Sequence, residues 1–207
     1  MHSIIFDLDR TLVKKNCSFS FYFFLLRRRL IPFKSLLKVV PIFFSYLAER
    51  LSLTQLHHRV FAAVLRGKPR SLFIQSVKPF LDENLEKWLN PAVFSRFCEA
   101  KKRGDRTFLL SSSPDFIVGA IAERLGFDLW KGTEYAVDKE ERLCQISTLV
   151  NGITKLMLAK TLGQKKTIAY SDSEDDLPLL EWAEVAIVVQ PGARLRRYAN
   201  LRHWEIL

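Results

Sequence analysis

Cysteine is scarce in this chain. The three present, Cys17, Cys98 and Cys144, are odd in number and far apart, which excludes a disulfide framework and a paired-cysteine zinc site. The expected compartment is therefore reducing and cytoplasmic. Histidine is no richer: His57 and His58 are adjacent, and His2 and His203 lie near the ends, so no metal-ligand spacing results. Eight glycines and eight prolines, scattered along the chain, exclude collagen-like and linker-like sequences. No stretch approaches the ~18 to 20 uncharged apolar residues that a membrane-crossing helix needs. Internal repeats and low-complexity tracts are absent. No signal peptide is expected ahead of Ser3-Ile4-Ile5-Phe6-Asp7, which already reads as a buried strand. At 207 residues, 48% hydrophobic and 26% charged, the chain has enough for one domain with a modest insert, and wholesale disorder is ruled out.

Acid is the other shortage, and it is local. The whole chain holds 32 Lys and Arg against 22 Asp and Glu, a net charge of +10. Between Lys14 and Arg70 stand 12 basic residues and one acid, Glu49, with 10 of the 25 aromatic residues. The other 150 residues carry a net charge of −1. Any argument about partners starts from that segment.

The hydrophobic pattern divides the chain in the same place. From Lys14 to about Asn90, apolar runs at Phe19–Leu30, Phe33–Leu53 and Leu56–Leu65 predict three to five helices, with a break at Ile31-Pro32 and a kink at Pro41. From Pro91 onward strand and helix alternate. A helix over Pro91–Arg103 stops at Gly104, and a strand over Thr107–Leu110 enters Ser111-Ser112-Ser113. The next helix is expected to open with Ser113 as N-cap and Pro114 at its first position, and to close at Gly126. Short strands follow at Trp130–Glu134 and Leu143–Ile146, then a helix over Thr154–Leu162 ending at Gly163. Further strands are expected at Thr167–Tyr170, Val185–Val189 and within His203–Ile206. This alternation predicts an α/β fold with a parallel sheet and helices on both faces.

Three of the apolar strands end alike, at Asp7, at Ser111 and at Ser171-Asp172. Ligands of open α/β sheets sit beyond the carboxyl ends of the strands, so these polar residues should converge on one crevice. Singly, each is an ordinary turn residue. Together they resemble the haloacid dehalogenase superfamily phosphatases. Asp7-Leu8-Asp9-Arg10-Thr11 matches the D-x-D-x-T signature, Ser111 the second motif, Lys155 the third, and Asp172-Ser173-Glu174-Asp175-Asp176 the fourth. Arg10 stands where that family often has Gly, and Ser171 replaces the usual Gly before Asp172. The phosphoserine phosphatase branch shares the layout. Ser111-Ser112-Ser113-Pro114 resembles its Ser-x-Ser-Pro strings. Phe24-Leu25-Leu26-Arg27-Arg28-Arg29, Tyr170-Ser171-Asp172-Ser173 and Asp176-Leu177-Pro178-Leu179-Leu180 resemble the C-type phosphatidylglycerophosphate phosphatases of bacteria more narrowly.

The resemblance implies a Rossmann-like core (1–13 and 91–207) and a helical cap (14–90) inserted after the first strand. It implies an aspartyl-phosphate mechanism with Asp7 as nucleophile and Asp9 as acid and base. Thr11, Ser111, Ser112 and Lys155 would serve the phosphate, with Lys160 the alternative to Lys155. Mg²⁺ is the expected cofactor, a hard ion suited to oxygen ligands, held by Asp7, the carbonyl of Asp9, and Asp172, with Asp176 supporting or acting through water.

The basic segment admits three readings. It is a lid with its own core and a solvated basic face. Or it docks on an anionic membrane through the uncharged stretches Asn16–Leu26 and Val39–Ala48, an interfacial or re-entrant helix pair flanked by Arg27–Arg29 and Lys34. Or it binds nucleic acid, which is disfavoured because the aromatics cluster in apolar runs. The expected substrate is a lipid-linked phosphomonoester such as phosphatidylglycerophosphate. A small soluble ester like phosphoserine is the alternative, and a non-catalytic membrane-associating protein is the contrasting class. The expected location is cytoplasmic, peripheral on the inner face of the membrane if the cap docks.

Overall fold

The computed structural model describes residues 2–162 and 166–207; the expected stop at Gly163 lies outside them. Among the described residues the chain forms nine α-helices and one seven-stranded sheet. The strands are β1 (Ser3–Phe6), β2 (Arg106–Pro114), β3 (Leu129–Val137), β4 (Leu143–Thr148), β5 (Thr167–Ser171), β6 (Val185–Val188) and β7 (Glu205–Ile206). Their order in the sheet is β4-β3-β2-β1-β5-β6-β7, and every pairing is parallel except that of β3 with β4. The expectation of a parallel sheet thus holds apart from one edge hairpin, whose tight Asp138–Arg142 turn leaves no room for a crossover.

Alternation along the strands sorts the core into two faces. Ile4, Phe6 and Leu109 point to one apolar cluster, and Ile5, Phe108 and Leu110 to the other. The first face is covered by α5 (Pro91–Lys102) and α6 (Asp115–Leu125), through residues such as Phe97 and Ile121. The second is covered by α7 (Gly152–Leu162), α8 (Leu177–Trp182) and α9 (Ala193–Leu201), through Ala159, Leu180 and Leu195. β1 is the first strand in sequence and lies centrally, so the strand order reverses beside it. Asp7 follows β1 at that switch point, where open α/β sheets bind ligands.

The remaining helices fall between β1 and α5: α1 (Cys17–Arg27), α2 (Leu36–Leu47), α3 (Leu53–Val60) and α4 (Arg70–Trp88). A 3₁₀ turn, Phe33–Ser35, leads into α2, and a π-helical turn, Phe61–Leu65, follows α3. The chain leaves the sheet and returns to it side by side: Lys14 N–H donates to Trp88 O (2.7 Å) and Asn90 N–H to Leu12 O (2.9 Å). Gly67 and Lys68 exchange hydrogen bonds with Leu143, which ties this segment to the β3–β4 hairpin as well.

One local expectation changes. β2 runs on through Ser111–Ser113 to Pro114, so Pro114 and not Ser113 occupies the N-cap of α6. The Ser113 hydroxyl has a different partner, described below. Pro41, where the kink is expected, lies inside α2. Of the two uncharged stretches, α1 buries Phe21, Phe24, Leu25 and Leu26 in the core, with Phe21 and Phe24 on Phe80 of α4, whereas α2 buries only Val39. No helix of the described residues is long and apolar enough to cross a membrane.

Candidate active site

The site is built where β1 stops. Asp7 N–H still bonds Tyr170 O on β5 (3.0 Å), but Leu12 N–H turns back to Asp7 O (3.3 Å) and Val13 N–H to Leu8 O (3.0 Å). Carboxylates two residues apart would face opposite ways on a continuing strand. This turn brings Asp7 and Asp9 onto the wall of one cavity. Within it Arg10 has φ 59°, the left-handed region in which glycine costs least.

Lys155 sits at the centre. Its Nζ donates to Asp7 Oδ1 and Asp176 Oδ2, both at 2.7 Å, and the side chain is buried. α7 aims it there because Asn151 Oδ1 caps the helix by accepting the Thr154 N–H (3.0 Å). A Cβ on Gly152 would lie 1.6 Å from the Asp175 carbonyl oxygen, so only glycine lets α7 pack against the Glu174–Asp176 turn. Lys160, by contrast, is exposed on α7. Ser171 Oγ donates to Asp176 Oδ2 (2.6 Å) and fills the place of the glycine usual before Asp172.

Asp9 is held at both oxygens: Cys17 N–H donates to Oδ1 (2.6 Å) and Ser113 Oγ to Oδ2 (2.6 Å). Ser18 Oγ in turn shares a hydrogen bond with Ser113 Oγ (2.6 Å). Asp172 takes the Arg10 Nε at 3.0 Å and a long contact from Thr11 Oγ1 at 3.4 Å. Thr11 therefore faces a carboxylate in this structure. Ser112 lines the cavity, and Ser111 lies fully buried behind it, its Oγ accepting the Ser113 N–H (3.1 Å).

The electrostatics follow from burial. Loss of water pushes Asp7 up to about 7 against the pull of Lys155, with Asp176, Asp172 and Asp9 adding to the rise. Burial likewise raises Asp172 to about 6, opposed by Arg10 and Lys155. Asp9 is raised by burial and lowered by its bonds from Ser113 and Cys17. Burial works against the Lys155 ammonium, yet Asp176 and Asp7 together lift its pKa above the usual lysine value.

Five carboxylates, Asp7, Asp9, Asp172, Asp175 and Asp176, line the cavity with two cations, Lys155 and Arg10. An all-oxygen cluster with an excess of negative charge fits a hard divalent cation. Among the described residues no three His, Cys, Asp or Glu side chains form a ready-made ligand set. An ion here would need a backbone carbonyl and water besides Asp7 and Asp172. Asp176 is already engaged by Lys155 and Ser171, which suits a supporting place better than a direct one.

The cavity that opens on these carboxylates has a volume of about 360 Å³ and is lined elsewhere mainly by apolar side chains, among them Phe19, Tyr22, Phe43, Val60 and Phe61. Tyr46 of α2 stands on the same wall, and its phenol is raised by burial and by Asp175 and Asp172 nearby. Sequence reasoning missed Ser18 and Tyr46, took Ser113 for an N-cap, and placed Ser171 at the crevice without a partner. The Ser-x-Ser-Pro string was a signal for Ser113, whereas nothing in the sequence singled out Tyr46.

Comparison with known proteins agrees with this geometry. The chain is 26% identical over 212 residues to a probable phosphatase of Mycobacterium tuberculosis, an alignment covering 98% of this chain and 73% of the relative. A Bordetella pertussis protein of unknown function has the same fold, with a TM-score of 0.86 at 19% identity over 100% of this chain and 98% of the other. A substrate-bound phosphoserine phosphatase also shares it, with a TM-score of 0.70 at 18% identity over 100% and 92% of the two chains. A family model described as haloacid dehalogenase-like hydrolase matches residues 4–181. The chain belongs to that family of hydrolases, with phosphatases among its relatives.

Proposed function

We propose that this chain is a Mg²⁺-dependent phosphomonoester hydrolase that works through an aspartyl-phosphate on Asp7. The observation that carries the reading is the Asp7–Lys155–Asp176 cluster with Asp9 held beside it at the strand ends. Lys155 fixes one oxygen of Asp7 and supplies positive charge where a phosphoryl group gains negative charge. The Asp7 carboxylate forms an O–P bond as the ester P–O bond breaks, and Asp9 gives its proton to the departing oxygen. Asp9 then takes a proton from water, whose oxygen attacks phosphorus, and phosphate leaves with Asp7 restored. Burial favours a protonated Asp9 at the start, and the Ser113 and Cys17 donors favour the carboxylate that follows. Asp7, the Asp9 carbonyl and Asp172 would hold Mg²⁺, which would supply charge to offset the carboxylates and the phosphate. Ser112, which lines the cavity, serves the phosphate oxygens, with Ser111 buried behind it and holding the Ser113 N–H.

For the substrate we favour a lipid-linked phosphate such as phosphatidylglycerophosphate. The support is the apolar lining of the cavity, together with the strings around Phe24–Arg29 and Asp172–Leu180. A phosphoserine-like ester would leave most of that lining without a partner. An anionic membrane surface is the partner that such a substrate requires.

The test is Asp7→Asn, which replaces a nucleophilic oxygen by an amide. Phosphate release with Mg²⁺ should fall by about 10³-fold or more while circular dichroism stays native. Stabilisation by beryllium fluoride, an analogue of the acyl-phosphate, should vanish too. Turnover at the wild-type rate in that variant overturns the mechanism. Equal efficiency on phosphoserine and on a phospholipid monoester overturns the lipid assignment alone.

A further inference from the structure

Among the described residues nothing covers one apolar face of helix α2. Its sequence, Leu36-Leu37-Lys38-Val39-Val40-Pro41-Ile42-Phe43-Phe44-Ser45-Tyr46-Leu47, is almost wholly apolar, yet Val39 alone is buried. Val39, Phe43 and Tyr46 face the cavity. On the other side Leu37 is 79% exposed, Phe44 65% and Val40 43%, and Leu47, 60% exposed, stands at the edge, where it also lines the cavity. The intervals of three, four and three residues put them on one stripe of the helix, and Phe33 extends it into the preceding turn. Contiguous apolar surface of this kind marks an interaction site.

Charge decides among the occupants. Lys34 and Lys38 flank the stripe, α2 carries no acid, and among the described residues neither lysine pairs with a carboxylate. Glu49, the segment's single acid, lies beyond the helix and pairs with Arg194 (3.6 Å). A second copy docked face to face would bring like charges together, whereas an anionic lipid surface is complementary. Twelve residues of helix span roughly 18 Å, short of the ~30 Å hydrocarbon core, so the helix suits the plane of the interface. The arginine cluster contributes less than its sequence suggests, because Arg27 and Arg28 both pair with Glu83 of α4.

We propose that the outer face of α2 docks on the surface of an anionic bilayer. Leu37, Val40 and Phe44 enter the boundary between headgroups and chains, and Lys34 and Lys38 meet lipid phosphates. Since the other side of α2 walls the cavity, docking sets the site beside the bilayer. That consequence, though not the docking itself, rests on the lipid-phosphate reading above.

Sedimentation of the full chain with phosphatidylglycerol vesicles and with phosphatidylcholine vesicles tests it. The wild type should pellet with the anionic vesicles and much less with the neutral ones. Leu37→Asp with Phe44→Asp should weaken partitioning by about 100-fold. Lys34→Gln with Lys38→Gln should weaken it by roughly 20-fold at low salt, a loss that fades at high salt as screening sets in. None of these side chains lines the cavity, so hydrolysis of soluble para-nitrophenyl phosphate should be unchanged in every variant, which also reports that each is folded. Wild type left in the supernatant overturns docking. So does equal pelleting of the Leu37, Phe44 variant, or a dimer in gel filtration that this variant dissolves, which would make a second copy the occupant. A wild type that pellets but hydrolyses no phosphate ester supports docking and overturns the hydrolase reading.

Discussion

The two ends of the cavity are made by different means. At the carboxylate end, side chains from β1, β2, β5, α7 and the loops after the strands meet through short, directional bonds. Lys155 holds two aspartates, Ser171 holds one of them, and Cys17 and Ser113 hold Asp9. At the apolar end, residues of α1, α2 and α3 and the π-helical turn supply volume and surface mainly through apolar side chains, with the Tyr22 hydroxyl tied to Ser35 Oγ at 2.9 Å. Directional bonds among buried charges fail when one atom is removed, because the charge left behind is uncompensated. Apolar walls tolerate exchange of like-sized side chains. The first end should therefore be brittle and the second adaptable.

The sharpest way to break that contrast is Lys155→Met, which keeps the length of the side chain and removes its charge. Asp7 and Asp176 would then face each other buried and unneutralised. Turnover should fall by about 10³-fold or more, with no comparable change from Val60→Leu on the apolar wall. Steady-state assay of both variants on one soluble ester checks it. Similar losses in the two would end the distinction.

A smaller effect separates two phenylalanines on the helices behind the apolar wall. Phe24 of α1 is buried and packs edge-on to Phe80 of α4 at 5.5 Å. Phe44 of α2 is largely exposed. Phe24→Ala should cost about 3 to 5 kcal/mol, and Phe44→Ala less than about 0.5 kcal/mol, as read from urea denaturation. A large cost at Phe44 would mean that the α2 stripe is covered in solution.

That pair also shows what the sequence could and could not reveal. α1 and α2 look alike in composition, and the difference lies in α4, which gives α1 both Phe80 and the Glu83 that takes Arg27 and Arg28. Such pairings span more than fifty residues, and no local pattern encodes them. Asp7, Asp9, Lys155 and Asp172 were legible because each stands within a few residues of a strand end or a helix start. Ser113 was misread because turn chemistry favours it as an N-cap, whereas its hydroxyl goes to Asp9, 104 positions away. The antiparallel β3–β4 edge was missed because a short strand looks the same in either direction.

The smallest expected effect concerns acidity at the carboxylate end. Asp7 has a pKa of about 7 in the metal-free fold against an ordinary 3.8, and Asp172 about 6. The folded state thus binds more protons than the unfolded chain between about pH 4 and 7. The stability these groups lend is fully present below the lower value and is lost as pH rises through the upper one. His57 pulls the other way: burial, with His58 beside it, lowers its pKa from 6.5 to about 4, so its contribution falls away as pH drops through that range. Comparison with Asp7→Asn cancels the histidine. In chelator, the melting temperature of wild type relative to Asp7→Asn should climb by a few degrees between pH 8 and pH 5. Mg²⁺ should act in the opposite sense, since it binds the ionised carboxylates, so the stabilisation it gives the wild type should grow toward pH 8. The apolar end contributes nothing to either trend. A flat difference between wild type and Asp7→Asn across this range would show that the Asp7 carboxylate is already ionised at pH 5, and that Lys155 outweighs burial at the centre of the site.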